Sequence, residues 1–480
     1  MSNLLTSLLT SANTLSAYDQ ILQVSQNNIS NANTPGFVKQ RQALEALPFD
    51  PTTGRPGGVA AGDVVSARDE YAEQSVRRQN VLLGQAQQDV GSLTQVQSAF
   101  DISGDSGIPG ALNGLFQSFS AWAQSPNDPV ARQTVIEHAT DVASAFQQTA
   151  ANLTQTALDT QHTLAASVDA VNTLSGRLCS LNRLALANTG ADSSLDAQIH
   201  STLEDLSQYV SFTATQREDG SVTVLMNGET PLVVDGEQHK LSWTLTKPTS
   251  PEPTYTDAPG SLRLLAADGS DVTGKTTSGQ LGSLLNTANT VLPAYLGDAR
   301  QQGDLNRMAE QFAQRVNNLL TSGNVTDGPP AQAGVALFTY DANSTNAAAT
   351  LAVDRNAVKP GLLGAIQPGP PYVSNGIPLA LSGLASPQNS ADKIDSESFT
   401  QFYGSMAARS GSLLNDANAR VSVQQSTLSQ AKNLRQQMSG VSLDEEATIV
   451  IQFQRAYEAT SRMISILNQL TEDTINLLHA

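Results

Sequence analysis

The chain is acidic and poor in charged residues for its size. Its 480 residues carry a formal net charge of −18, with charged residues at 15% and aromatic residues at 5% of the total. A soluble domain usually contains about 25% charged residues, and a nucleic-acid-binding surface needs clustered basic side chains, so no nucleic-acid partner is expected. No apolar run approaches the roughly 18 residues of a membrane span, so membrane insertion is not expected. Cys179 is the only cysteine, which excludes an internal disulfide bond and a cysteine-based metal site.

The first 38 residues contain one charged side chain, Asp19, and follow a heptad repeat. The pattern predicts a helix over about residues 4–32 with a coiled-coil seam. No Lys or Arg precedes Lys39, so the basic start of a secretory signal peptide is missing and export without a cleavable signal is expected. The residues that recur every seven positions are Leu8, Leu15, Leu22 and Ile29.

The last segment of the chain repeats this pattern. Ser442 to Glu445 reads as a capping box, in which the serine caps the free N–H groups and the acids lie at the positive end of the helix dipole. The sequence therefore predicts a second heptad helix over about residues 443–478, paired with the first in either orientation. Its seam includes Leu443, Val450, Tyr457 and Ile464, with Phe453 and Leu467 at alternate positions.

The outer face of the first helix is made of Ser, Thr, Asn and Gln. A helix pair exposed to water should carry charges there, so we expect this pair to be surrounded by protein in an assembly and largely disordered in the free monomer. The predicted residues of helix pairing and of the subunit interface are Leu8, Leu15, Leu22, Ile29, Val450, Tyr457, Ile464 and Leu467.

A turn motif follows the first helix, with Asn31, Asn33, Thr34, Pro35, Gly36 and Phe37. Pro35 excludes helical geometry at the preceding residue, and a Pro-Gly pair at the centre of a turn favours type II. The segment is therefore predicted to end the helix and reverse the chain.

Both ends of the chain carry a family resemblance. The helix end and turn over residues 28–37 resemble the N-terminal signature of the bacterial flagellar axial proteins, which are the rod, hook and hook-associated proteins. Residues 440–447, Gly-Val-Ser-Leu-Asp-Glu-Glu-Ala, and residues 453–459 resemble the matching C-terminal end of that family. The Val-Ser-Leu-Asp-Glu-Glu stretch looks like the hook-associated branch, whereas rod and hook proteins are similar there only loosely.

This resemblance implies a structural, non-enzymatic subunit of the flagellum, at the junction of hook and filament. It implies export through the flagellar secretion channel, an extracellular location, and a turn that sets the angle between inner and outer shells. The implied partners are further copies of the chain, the hook protein, a second junction protein, and an export chaperone on the C-terminal helix. The candidate chaperone contacts are Leu443, Val450, Tyr457 and Ile464.

Between its two ends the chain is predicted to form long helices and one mixed region. Helices are expected over about 69–100, 112–122, 129–186, 195–209 and 399–438, with Asp128 capping Pro129 at the first helical position. Three Asn-Gly or Asp-Gly pairs predict a β-meander over 211–245. A strand over 262–266, a helix over 281–320 broken at Pro293, and short strands over 335–340 and 350–354 are expected to follow.

These elements define a mainly α fold with an inserted α+β domain. We expect a terminal coiled-coil domain of residues 1–45 and 440–480, a long-helix bundle of residues 46–209 and 391–439, and an inserted mixed domain over 210–390. A hook or distal rod protein is the rival within the class, and a surface adhesin using 210–390 is a rival outside it.

Two short motifs carry enzymatic alternatives. Residues 269–276 match the phosphate-loop pattern G-x-x-x-x-G-K-[ST], but Asp271 is a negative charge inside a loop for an anion, and no alternating βαβ pattern surrounds it. Residues 104–107, Gly-Asp-Ser-Gly, echo a serine-protease loop without its second glycine. The five histidines lack metal-ligand spacing. No catalytic residue, cofactor or metal is therefore predicted.

Overall fold

The computed structural model describes residues 2–48, 58–101, 106–187, 192–217, 219–247, 254–326 and 328–479. In chain order the α-helices are α1 (Ser2–Asn31), α2 (Glu70–Ser98), α3 (Gly107–Gln124), α4 (Pro129–Ala187), α5 (Ser193–Ser207), α6 (Gly279–Asn286), α7 (Leu292–Leu296), α8 (Asp304–Ser322), α9 (Ala347–Thr350), α10 (Gly376–Ser382), α11 (Phe399–Ser439) and α12 (Leu443–His479). The strands are β1 (Gln40–Ala46), β2 (Val59–Ser66), β3 (Phe212–Gln216), β4 (Val222–Met226), β5 (Thr230–Val234), β6 (Glu237–Gln238), β7 (Ser242–Thr246), β8 (Ser261–Leu265), β9 (Asn324–Thr326) and β10 (Gln332–Ala333).

The mainly α fold with an inserted α+β region is confirmed, and the long helices begin and end close to their predicted bounds. Local signals account for this agreement. Asp128 accepts a hydrogen bond from the N–H of Val130 at 2.9 Å, with Pro129 at the first helical position. Ser442 caps α12 through the N–H of Glu445 at 3.4 Å. No helix in the described part of the chain is long and apolar enough to cross a membrane.

The chain divides into two compact units. The first contains Met1–Leu82, Asn172–Lys240 and Gln424–Ala480, and the second contains Leu83–Val171 and Leu241–Val423. Helices α2, α4 and α11 contribute residues to both units. The nested division into terminal pair, bundle and inserted domain stays a prediction.

The second unit has a large apolar core. Helix α8 places an apolar residue at every third or fourth position, so one face of it is fully buried. At its centre, the ring of Phe312 lies 5.1 Å from that of Phe399 and 5.8 Å from that of Phe338. The largest side chains buried in this unit are Trp122, Tyr295, Tyr403, Phe119, Phe146, Phe312 and Phe399.

The β-meander predicted over 211–245 is confirmed up to residue 238; the last segment, β7, pairs instead with β8 in a separate two-stranded sheet. Strands β3, β4, β5 and β6 form a four-stranded antiparallel sheet in sequence order. Asp235 and Gly236 both have positive φ, which is the backbone of a type I′ turn and suits the twist of their two-residue hairpin. Asn227 and Gly228 also have positive φ, in a hairpin whose loop has three residues.

The predicted helix break at Pro293 is wrong. A π-helical turn over Thr287–Val291 joins α6 directly to α7, so the chain stays helical through Pro293. A proline inside a helix removes one hydrogen bond of the regular ladder, and the irregular turn just before it accommodates that loss. The chain leaves the helix at Gly297, whose φ is +90° and whose added Cβ would lie 2.3 Å from the carbonyl oxygen of Gln302. Gly297 therefore ends the helix instead of the proline, and Gly303, which also has a positive φ, precedes the start of α8.

The predicted strands over 335–340 and 350–354 are also wrong. In the described residues this pair of segments forms a single antiparallel bridge, between Thr339 and Ala352, and the second segment is preceded by α9. The amide of Asn317 on α8 accepts from the N–H groups of Leu337 and Phe338 and donates to the carbonyl of Phe338. A helix side chain therefore satisfies the backbone groups that a neighbouring strand would have paired.

Candidate assembly site at the paired chain ends

Helices α1 and α12 pack against each other in antiparallel orientation. The ring centroids of Tyr18 and Phe453 are 5.6 Å apart. Further along, the Oγ of Ser11 lies 4.0 Å from the Sδ of Met463, and the Oγ of Ser25 lies 3.4 Å from the carbonyl oxygen of Glu446. Residues nearer the start of α1 therefore contact residues nearer the end of α12, as antiparallel packing requires.

The half of α1 near the turn is enclosed, and it also packs on the β1–β2 hairpin. Its most buried residues are Ala17, Ile21, Ser25 and Asn28, between 1% and 5% exposed, at the three- and four-residue spacing of one helix face. Asn28 fixes the helix to the hairpin, because its side chain donates to the carbonyl of Gln40 at 2.8 Å and accepts from its N–H at 2.9 Å.

A buried ion cluster fixes the start of α12. The ammonium group of Lys39 lies 2.8 Å from a carboxylate oxygen of Glu445 and 3.3 Å from one of Glu446. The side chain of Glu446 is 1% exposed and accepts a hydrogen bond from the hydroxyl of Ser25 on α1. Both chain ends therefore meet at one buried carboxylate.

The turn motif has the geometry that its Pro-Gly pair predicts. The N–H of Phe37 donates to the carbonyl of Thr34 at 3.1 Å, and Gly36 has a φ of +78°. The turn lies so close to α5 that a Cβ at Gly36 would be 2.2 Å from the carbonyl oxygen of Ala197. Glycine is required here for both the backbone conformation and the close approach.

Arg68 ties this turn to two helices. Its guanidinium donates to the carbonyl of Gly36 at 2.8 Å, to Asp196 on α5 at 2.6 and 3.0 Å, and to Glu73 on α2 at 2.6 Å. The side chain is 7% exposed. A planar guanidinium can satisfy several acceptors at fixed angles, which an ammonium cannot.

His200 lies within this group of charges but stays neutral. It is 4% exposed, and burial, followed by the charges of Arg68, Arg77 and Arg435, lowers the pKa of His200 to about 2. Its 3.5 Å contact with Asp196 is therefore not an ion pair at neutral pH.

The structure places the predicted interface residues on more than one face. In α1, Leu8, Leu15 and Leu22 are half-buried and Ile29 is 38% exposed, beside the more buried face described above. In α12, Val450, Ile464 and Leu467 are half-buried, whereas Tyr457 is 36% and Leu443 53% exposed. Their roles at a subunit interface stay a prediction.

The far half of the helix pair exposes further large apolar side chains on both helices, which the sequence reasoning missed. We call this set of residues the distal patch, and its side chains are between 48% and 59% exposed. The three residues on α12 follow Ala459 at a spacing of three or four, a second heptad stripe that could have been found beside the first. The distal patch consists of Leu5, Leu9, Met463, Ile466 and Leu470.

The β1–β2 hairpin and its two buried cations were missed as well. The only available signal was indirect: Lys39 is the first basic residue after a nearly uncharged segment, and Arg68 follows a run of small and apolar residues. Their acidic partners lie far away in sequence, so no local pattern could identify the pairs.

The phosphate-loop alternative does not fit its local geometry. Asp268 and Gly269 form a tight turn after β8, and the backbone N–H groups of Ser270 and Thr273 donate to the carboxylates of Asp268 and Asp271. The hydrogen bond from Thr273, with the nearby charge of Arg263, lowers the pKa of Asp271. The N–H groups that would hold a phosphate are thus bonded within the loop, around a carboxylate. The protease-like motif lies partly outside the described residues.

The fold and this site define a helical structural protein whose two chain ends pair and leave apolar surface uncovered. Among the residues that the structure describes, no group of His, Cys, Asp or Glu is arranged to hold a metal ion.

Residues 93–338 match the family model of the flagellar hook-associated protein FlgK helical domain. Residues 434–477 match that of the flagellar basal body rod FlgEFG protein C-terminal region. Since the first match spans more than half of the 480 residues, the chain belongs to the FlgK family of flagellar hook-associated proteins.

Individual relatives agree with this family. The chain is 26% identical to flagellar hook-associated protein 1 of Bacillus subtilis over 519 aligned residues, which cover 97% of each chain. It is 22% identical to the protein of that name from Escherichia coli, covering 96% of this chain and 98% of that one. The solved flagellar hook junction protein FlgK of Burkholderia pseudomallei shares the fold, with a TM-score of 0.63, 14% identity, and coverage of 77% of this chain and all of that one. The resemblance to the hook-associated branch is confirmed, and the chain is a structural protein, not an enzyme.

Proposed function

We propose that this chain is an extracellular subunit of the hook–filament junction, and that the distal patch docks it onto neighbouring axial proteins. Those neighbours are further copies of the chain, the hook protein and a second junction protein. The observation that carries this proposal is the distal patch itself. Five large apolar side chains, about half exposed, lie on two helices that are already paired, and exposed apolar surface of this kind marks a protein interface.

The free energy that burial of the distal patch could supply is large enough to influence whether the two helix ends are ordered. Full burial of a large apolar side chain contributes about 1.5–3 kcal/mol, and about half of that remains to be gained here, so five residues supply of the order of 4–8 kcal/mol. Ordering the backbone of these two half-helices costs about 1–2 kcal/mol per residue, so the helical hydrogen bonds and the packing of α1 on α12 must offset most of the cost, and burial of the patch supplies the remaining margin. We therefore propose that residues 2–14 and 459–479 become ordered when a neighbour covers the patch, while the half near the turn is already held by its buried contacts.

Export and chaperone binding fit the same arrangement. We propose that the chain is exported unfolded through the flagellar secretion channel, with a chaperone on the C-terminal helix at Leu443, Val450, Tyr457 and Ile464. Two of these residues are exposed and two are half-buried. A chaperone that contacts all four must therefore bind α12 when it is separated from α1, so chaperone binding and closure of the chain ends exclude each other.

Complementation of a deletion strain tests the docking role. The full-length variant Ile466→Asp places a charge in the distal patch, and we expect hooks without filaments in electron microscopy and flagellin lost to the medium. The matched control is Ser465→Asp, which adds the same charge at the neighbouring exposed position and should restore filaments. Normal filaments with Ile466→Asp, at normal levels of exported protein, would contradict the docking role.

A further inference from the structure

The base of the β1–β2 hairpin is the point where both terminal helices leave the rest of the first unit. Helix α1 is followed by a link of residues 32–39, and α12 is preceded by the short link of residues 440–442. Both links meet the hairpin base, because the N–H of Lys39 donates to the carbonyl of Ser439 at 2.9 Å and the N–H of Asp69 donates to the hydroxyl of Ser439 at 3.0 Å. Ser439 is 1% exposed.

Two buried cationic side chains lie at this base, one beside the start of β1 and one just after the end of β2. Lys39 directly precedes β1, Arg68 follows β2, and the N–H of Ala67 donates to the carbonyl of Lys39 at 2.8 Å, so the two residues are held side by side. Each cation faces a different chain end. Arg68 binds the carbonyl of Gly36 in the link of α1, and Lys39 binds the carboxylates of Glu445 and Glu446 at the start of α12.

We propose that Arg68 and Lys39 are positioning residues that fix the directions in which α1 and α12 leave the hairpin base. Apolar packing is non-directional, so the helix directions depend on the polar contacts at this base, and Asn28 and Ser25 supply those along the seam itself. Charge-assisted hydrogen bonds are short and directional. Arg68 holds α1 against α5 and α2 through its carboxylate partners, and Lys39 holds α12 through a carboxylate that also binds Ser25 of α1.

This inference rests on the proposed function for its consequence. The distal patch has residues on both helices, so the relative position of its α1 and α12 residues depends on the directions in which the two helices leave the base. A change at Arg68 or Lys39 therefore disperses the patch without altering any residue in it.

Distances between spin labels in the full-length chain test the proposal without requiring assembly. One label is placed at Gln208, the residue directly after α5, and the second either on α1 at Ser16 or on α12 at Gln454, all three of which are exposed. The buried Cys179 is replaced by Ala. We expect one narrow distance peak for each pair in the otherwise unchanged chain.

Arg68→Lys retains the charge but loses the planar fork, so the peak for the Ser16 pair should be lost and replaced by a broad distribution. Lys39→Met should do the same for the Gln454 pair. The matched controls are Arg41→Gln, an exposed cation on the same hairpin, and Glu458→Gln, an exposed carboxylate further along α12 and outside the ion cluster, and both should retain narrow peaks. Narrow peaks in both test variants, or broad peaks in the parent chain, would overturn the proposal.

If either test variant lowers the melting temperature of the whole chain, a milder pair replaces it. Asp196→Asn weakens the principal partner of Arg68, and Glu446→Gln removes the buried charge opposite Lys39 at nearly constant volume; the same peaks are read. Complementation then separates the two proposals. Broad peaks with normal filaments overturn the docking role of the distal patch and leave the positioning role standing, whereas narrow peaks overturn the positioning role alone.

Discussion

The second unit and the paired chain ends are stabilised in different ways. The core of the second unit consists of fully buried aromatic and aliphatic side chains from many helices. At the chain ends, the most buried positions of α1 include Ser25 and Asn28, and the most buried residue of α12 is Glu446. Apolar burial contributes most where it is complete, so the second unit has a strong core, whereas the chain ends depend on a few polar contacts and leave their apolar surface for neighbours.

The largest expected effect is a test of the apolar core. Phe312→Ala removes a side chain that is completely buried among three other phenylalanine rings, and should lower the free energy of unfolding by about 3–5 kcal/mol. Urea denaturation followed by the fluorescence of the buried Trp122 measures it. Leu9→Ala in the distal patch, 58% exposed, should change that value by less than about 0.5 kcal/mol. Similar losses in the free energy of unfolding for the two variants would contradict the conclusion that the two regions are stabilised in different ways.

A second test concerns the buried ion cluster. Lys39→Met leaves the carboxylate of Glu446 buried without its cation, which should destabilise the docking of α12 by about 3 kcal/mol. The double variant Lys39→Met with Glu446→Leu should recover most of this loss, because apolar replacements of a buried pair are often neutral or stabilising. Amide hydrogen exchange over residues 443–456 reports the docking. If the double variant exchanges as fast as the single one, the ion cluster must stabilise the docking of α12 by more than the free energy that burying its charges costs.

A third test compares two glycines with nearly the same backbone. Gly36 and Gly269 have φ values of +78° and +81°, but a Cβ at Gly36 would meet the carbonyl oxygen of Ala197 at 2.2 Å, whereas nothing lies within 4 Å of one at Gly269. Gly269→Ala should therefore cost about 1 kcal/mol of backbone strain. Gly36→Ala should cost at least about 1 kcal/mol more, since the turn must also move away from α5. Thermal unfolding of the two variants measures the difference, and equal losses would mean that the turn is free to shift.

The regions also differ in how far the sequence could predict them. Heptad spacing, Asp128 before Pro129 and Ser442 before α12 are local signals, so the long helices and their ends were predicted closely. The break assigned to Pro293 was wrong because a π-helical turn just before the proline keeps the chain helical, and two glycines further on, at which the helix does break, were overlooked. The strands around Leu337 were wrong because a distant side chain, Asn317, satisfied their backbone.

The candidate site was predicted only in its outline. The pairing of the chain ends followed from two matching heptad repeats, and the turn followed from its Pro-Gly pair. The ion pairs of Lys39 and Arg68 join residues that are far apart in sequence, as with Lys39 and Glu446, so no periodicity could reveal them. The distal patch was hidden for a different reason: a helix with two apolar stripes satisfies two heptad registers, and only the packing shows which one faces the partner helix.

The effect that is smallest at neutral pH is a pH dependence that belongs to the chain-end region. Burial and three arginines lower the pKa of His200 in the folded chain to about 2, against about 6.5 in an unfolded chain. Below pH 6.5 the unfolded chain therefore binds a proton that the folded chain does not, so the free energy of unfolding falls as the pH falls. The slope from this residue approaches about 1.4 kcal/mol per pH unit between roughly pH 5.5 and pH 3 and is absent above pH 7.

His200→Gln should remove that part of the slope, measured as the difference in urea denaturation between the variant and the parent chain at each pH. The control is the same substitution at another histidine, the half-buried His239, measured by urea denaturation at each pH. A parallel pH dependence of His200→Gln and the parent chain would show that the ring is accessible to protons, and that the chain-end region is looser than its buried charges indicate.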